Sequence, residues 1–244
     1  MARLALSSAG SGFLVLVLAA GASADTLVGV HSGAADPVTE GWVQDLAGPG
    51  TSSGPADDGG TPAWMITDAS QAGGSANWYR WAPDPAHLAA ALSSGWRVRT
   101  VMRVTNATGA GETQFFGFLT GSVAFQVHLK AEAGGDVTAR LLEGYPPFSG
   151  PTYTAVGSGY HTFELVSDGA SGTASFLIDG STVHTGYDGL PFGSAGGGAR
   201  FGCGTSEATG VVFVSSVEFS IASDAVSVGA PEDLAWSRIK SLHR

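Results

Sequence analysis

Two short runs joined across a turn, Tyr160 to Asp168 and Ala174 to Asp179, constrain this chain more than any other feature. In the first, Phe163 and Leu165 project to one side of an extended backbone, Glu164 and Val166 to the other. In the second, Phe176 and Ile178 alternate with Ser175 and Leu177. Asp179-Gly180 then offers the positive φ angles that a two-residue reversal needs. Adjacent antiparallel strands sharing an apolar face are expected, and a second layer must cover that face.

The pattern recurs. Strand-like runs occupy Ala63 to Asp68, Trp96 to Asn106, Gln114 to Thr120, Val123 to Lys130, Val137 to Glu143 and Val211 to Ala222. Glycine-rich turns separate many of them, as at Gly109 to Gly111, Gly134-Gly135-Asp136 and Asp168-Gly169. Asp84 to Ser93 reads as the helix of the body, with Pro85 in its first turn and Gly95 ending it. Asp25 to Gly60 is poorly periodic, and Gly48 to Gly60 reads as a polar, flexible loop. Many strands without alternating helices imply an all-β, two-sheet antiparallel sandwich.

Three segments follow from composition. Residues 1–24 have the layout of a secretory signal peptide: Arg3, an apolar stretch through Leu14 to Ala20, and the small-x-small Ala22-Ser23-Ala24. An uncleaved anchor is the alternative, disfavoured by the shortness of the apolar run. Residues 25–228 suit a single β-domain of ~200 residues. Residues 229–244 read as a short helical tail, acidic early (Glu232, Asp233) and basic late (Arg238, Lys240, Arg244). That tail is either an attachment segment or a frayed end. The expected location is secreted, extracellular or at the cell surface. A net charge of −10 argues against nucleic acid or anionic lipid as partner. The lone Cys203 cannot form an internal disulfide and reads as a small buried hydrophobe.

The stretch Gly159-Tyr160-His161-Thr162-Phe163-Glu164-Leu165-Val166-Ser167-Asp168-Gly169 resembles the central strand of laminin-G-like and concanavalin A-like lectin/glucanase domains. In those domains an aromatic-His pair opens a strand of this type. Ala174 to Gly180 is similar to the family's next strand, which ends in a Val-Asp-Gly or Ile-Asp-Gly hairpin. Glu40-Gly41-Trp42, Trp64-x-Ile66-x-Asp68 and Gly202-x-Gly204 match more weakly. The resemblance spans most of Asp36 to Ile221 and implies a jelly-roll sandwich. Lectin domains appended to secreted sialidases share the arrangement, which implies a glycan or polysaccharide ligand.

Enzymes of that fold that cut β-glucans carry Glu-x-Asp-x-x-Glu on one strand, which places paired carboxylates on one face. This chain has no such cluster; Glu164 and Glu218 stand alone on their strands. A non-catalytic carbohydrate-binding domain is therefore expected, without cofactor. A glycoside hydrolase or polysaccharide lyase of the same fold, or a surface-attached structural protein, is the alternative.

Alternation assigns Arg97, Arg99 and Arg103 to one side of their strand, and Gln126, His128 and Lys130 to one side of another. Arg140 sits similarly between Ala139 and Leu141. If one concave sheet carries them, Arg99, Arg103, Gln126, His128 and Arg140 line a floor suited to an acidic sugar. The competing reading is a solvated sheet face balanced by Glu164 and Glu143. Sugar sites also need aromatic platforms. Trp78 in Trp78-Tyr79-Arg80-Trp81, Tyr145 in Tyr145-Pro146-Pro147-Phe148, and Tyr187 are the choices. Asp57, Asp58, Asp68 and Asp179 are conceivable calcium ligands, but turn-capping explains lone aspartates better, and no metal is assigned.

Overall fold

The computed structural model describes residues 25–69, 76–108, 112, 114–144, 149–193, 196–204 and 208–222. The leader, the tail and Tyr145 of the sequence reading lie outside the described residues.

The strands are β1 (Thr26–His31), β2 (Val43–Ala47), β3 (Thr51–Asp58), β4 (Thr61–Asp68), β5 (Ala76–Trp81), β6 (Trp96–Thr108), β7 (Gln114–Leu119) and β8 (Val123–Ala131). They continue as β9 (Val137–Leu141), β10 (Thr152–Ala155), β11 (His161–Ser167), β12 (Ala174–Ile178), β13 (Ser181–Tyr187), β14 (Leu190–Pro191), β15 (Gly198–Gly204) and β16 (Thr209–Ile221). They form two antiparallel sheets. The back sheet runs β13-β12-β11-β6-β16-β4-β3, with β1 also on β16; the front sheet runs β10-β9-β8-β7-β15-β5-β2, with β14 on β8.

The expected hairpin is present. Asp179 and Gly180 both have positive φ, 49° and 77°, between β12 and β13. The Asp179 carboxylate also accepts from the Thr162 amide at 2.8 Å, which fixes the turn to the neighbouring strand. Helix α1 (Pro85–Ser94) carries the chain from the front sheet to the back. Asp84 caps it by accepting from the His87 amide at 2.8 Å, and Gly95 donates to the Ala91 carbonyl at its end.

Gly48 to Gly60, expected as a loop, is largely the edge strand β3. It pairs with β4 from Thr51 opposite Asp68 to Asp58 opposite Thr61. An edge strand needs little apolar content, because part of it faces water, and Pro55 is tolerated there. Poor hydrophobic periodicity therefore hides it.

The core is where the inward faces meet. Phe118 of the front sheet stacks on Phe219 of the back at 5.2 Å, and Phe116 lies 6.1 Å from Phe163. Phe163, Leu165, Phe176 and Ile178 are all buried, as the alternation requires. Cys203 is buried on the inner side of β15, and burial pushes its thiol up to about 12, leaving it unreactive at neutral pH. Each buried phenylalanine contributes about 1.5–3 kcal/mol through the area it removes from water. Phe176→Ala is expected to cost about 3–5 kcal/mol in denaturant unfolding, whereas Thr182→Ala, exposed on the neighbouring strand, should stay within about 0.5 kcal/mol.

Candidate functional site

The outer face of the front sheet is built from the residues that alternation turns away from the core. Cross-strand register places Trp78 (β5), Gly202 (β15), Phe115 (β7), His128 (β8) and Arg140 (β9) in one row. Arg80, Arg200, Gly117 and Gln126 form the row beside it. The glycines in these rows hold space open. A Cβ at Gly117 would meet the Phe125 carbonyl oxygen at 2.1 Å, and one at Gly202, whose φ is +152°, would meet Trp78 Cβ at 2.5 Å. Neither position admits a larger residue without moving backbone. The result is a cleft of about 410 Å³ over the sheet, floored by Trp78, Phe115, Gln126, His128 and Arg200. Leu142 and the Leu190-Pro191-Phe192 segment also line it.

Aromatic and cationic groups interleave on this floor. The Arg200 guanidinium lies over the Trp78 ring, 4.3 Å from its centroid. Phe115 is tilted against Trp78 at 6.2 Å and stacks on the His128 imidazole at 5.7 Å. Burial, reinforced by the charge of Arg140, drives His128 down to about 4, so its imidazole is neutral at physiological pH. Burial also lowers Arg200 to about 10, which still leaves it charged. Its neighbours have acidic partners. Arg80 makes two bonds to Asp45, at 2.6 and 3.1 Å. Arg140 donates to Glu112 at 2.8 Å and to the Gly150 carbonyl at 3.2 Å. Arg200 is only 7% exposed, and its Nε has no hydrogen-bond acceptor among the described residues.

Four of the residues singled out from sequence thus share this face: Trp78, Gln126, His128 and Arg140. Arg99 and Arg103 do not. Both sit on β6 in the back sheet, pointing out of the opposite side of the sandwich. Arg99 stands in register between Glu164 and Glu218, with Nη1 3.6 Å from the latter. This is the solvated, charge-balanced face of the competing reading, with Glu218 rather than Glu143 as the second acid. Arg103 is bonded through two nitrogens to Asp58 and lies over the Phe213 ring at 4.6 Å. The expectation of one floor for all five residues fails for a physical reason. Alternation fixes which face of its own strand a side chain takes, but not which sheet that strand joins.

Tyr187 is a support rather than a platform. It is fully buried under β8, where its hydroxyl donates to the Leu142 carbonyl at 2.7 Å and accepts from the Gln126 amide at 3.2 Å. Burial pushes its phenol well above the ordinary value. Of the carboxylates considered for calcium, Asp57 caps Gly60, Asp58 holds Arg103 and Asp179 holds the Thr162 turn. Sequence reasoning missed Arg200, Phe115 and the Leu190–Phe192 wall. The alternation Ala199-Arg200-Phe201-Gly202-Cys203-Gly204, with Ala199, Phe201 and Cys203 inward and Arg200, Gly202 and Gly204 outward, was the available signal.

No protein-family model matches the chain, and no curated protein does. Solved structures do resemble it. One is described as the conserved carbohydrate esterase vb_24B_21 from Shiga toxin-encoding bacteriophage phi24B. It is 16% identical with a TM-score of 0.57, over 82% of this chain and 100% of that one. Another is the Crh5 transglycosylase in complex with NAG, 13% identical with a TM-score of 0.51, over 82% and 87% of the two chains. At such identities the likeness is one of fold.

The His128 shift has a consequence for stability. Unfolded, the imidazole titrates near 6.5; folded, near 4, so between those values the unfolded state binds more protons. The contribution of neutral His128 is complete above pH 6.5 and is lost as pH falls toward 4. Urea titrations should show that His128→Asn removes about 2–3 kcal/mol of the acid-induced loss near pH 4. Equal acid sensitivity in both proteins would contradict the burial of a neutral imidazole.

Proposed function

We propose that this chain is a secreted, non-catalytic carbohydrate-binding domain of the concanavalin A-like type, and that sugar sits in the cleft on the front sheet. The observation that carries this reading is the Trp78–Arg200 stack beside Phe115 and Gln126 on the floor of that cleft. Pyranose rings present C–H faces that pack on aromatic carbon and hydroxyls that need paired donors and acceptors. Trp78, Phe115 and the half-exposed Phe192 supply the first; the Gln126 amide and the Arg200 guanidinium supply the second. A volume of about 410 Å³ suits one or two sugar rings of a longer chain.

Both similar structures carry descriptions that concern carbohydrate, which accords with this ligand class. Hydrolysis by paired carboxylates requires two acids facing the bond to be cut. The described residues that line the cleft include no aspartate or glutamate, which supports binding without cleavage. Export by residues 1–24 and attachment through residues 229–244 belong to the same proposal.

Titration calorimetry against neutral and acidic oligosaccharides tests it. Trp78→Ala should weaken binding at least about tenfold, roughly 1.4 kcal/mol, while Arg99→Ala on the far sheet leaves it unchanged. The reading fails if Arg99→Ala alone abolishes binding, or if incubation with polysaccharide releases new reducing ends, unsaturated products or free acid from its esters.

A further inference from the structure

Among the described residues, Arg200 is the arginine of the front face without an ion pair of its own. The other arginines of the front face, Arg80 and Arg140, are each bonded to a carboxylate of their own, Asp45 and Glu112. Arg200 pairs with no acid among the described residues; Asp45, the acid that acts on it electrostatically, is already committed to Arg80. Yet Arg200 is more deeply buried than either of them. Removing a cation from water without an acid bonded to it is costly, and contact with one indole offsets only part of that cost. Simple packing against Trp78 would be met at lower cost by an uncharged side chain. The chain as a whole carries −10, so this positive spot is local and is not a by-product of a basic surface.

Resting on the carbohydrate reading above, we infer that the sugar bound in the cleft carries a carboxylate, and that Arg200 is the residue that selects it. A guanidinium held over an aromatic ring still has N–H donors for a planar acceptor, and a carboxylate offers two oxygens at matching spacing. A uronic acid or a sialic acid is the class of sugar that brings such a group together with the C–H faces the aromatic floor takes. His128 is neutral and adds no positive charge to the floor, so selection for the anion falls to Arg200.

The experiment compares charge at constant shape. The full chain is titrated with oligogalacturonate, oligomannuronate and sialyllactose, each beside its own methyl ester, together with neutral gluco- and galacto-oligosaccharides. At least one acid should bind about tenfold or more tightly than its ester, with that advantage shrinking as salt is raised. Arg200→Gln should bring the acid-to-ester ratio close to one. Should that variant not fold, the acid-to-ester ratio and its salt dependence in the unaltered protein decide alone. Neutral sugars or esters binding as tightly as the acids would overturn this inference and leave carbohydrate binding standing. An acid preference that survives in folded Arg200→Gln would also overturn it. Binding of no sugar of either kind would remove both.

Discussion

The packing of Phe116, Phe118, Phe125, Val127 and Phe201 against the back sheet is the constraint on which the site depends. Successive side chains of a strand point to opposite faces, so each inward aromatic fixes an outward neighbour. With Phe116 inside, Phe115 must face out; with Phe201 inside, Arg200 must; with Tyr79 inside, Trp78 must. The antiparallel register then aligns these outward residues into rows across β5, β15, β7 and β8. A slip of one residue in any of these strands would exchange core for cleft. Core and site are thus two consequences of the same alternation.

Among the described residues, ion pairing separates Arg80, Arg103 and Arg140 from Arg200. Within the back sheet Arg103 ties β6 to the β3–β4 hairpin through Asp58, and in the front sheet Arg80 ties β5 to the neighbouring β2 through Asp45. Arg140 anchors Glu112 and the Gly150 backbone beside β9. Each such pair brings a charge and its counter-charge out of bulk water together. Arg200 lies over the indole of Trp78 and makes no ion pair among the described residues. That asymmetry, rather than the number of bases, is what the proposed acidic ligand rests on.

Much of the fold was legible in the sequence because it rests on local signals. Asp179-Gly180 announces its own φ angles, Asp84-Pro85 announces a helix start, and Phe163/Leu165 announce a buried face. The edge strand β3 was not legible, since half-solvated backbone pairing needs no hydrophobic period. The site was legible in part. Trp78, Gln126, His128 and Arg140 lie on outward positions of strands that join the front sheet, while Arg99 and Arg103 occupy equivalent outward positions on a strand that joins the back. Sheet membership is set by long-range pairing, and so are the ion pairs: Asp45 and Glu112 lie 35 and 28 residues from the arginines they neutralise. No local pattern in the chain encodes those distances. Arg200 went unnoticed because its significance lies in which acids are already taken.

The most direct test of the account is the footprint of a bound oligosaccharide on backbone amides, read by NMR chemical-shift changes. Changes should concentrate at β5, β15, β7 and β8, around Trp78, Arg200, Phe115 and Gln126, with the outer face of β6 and β16 silent. Changes centred on Arg99 and Glu218 would contradict it.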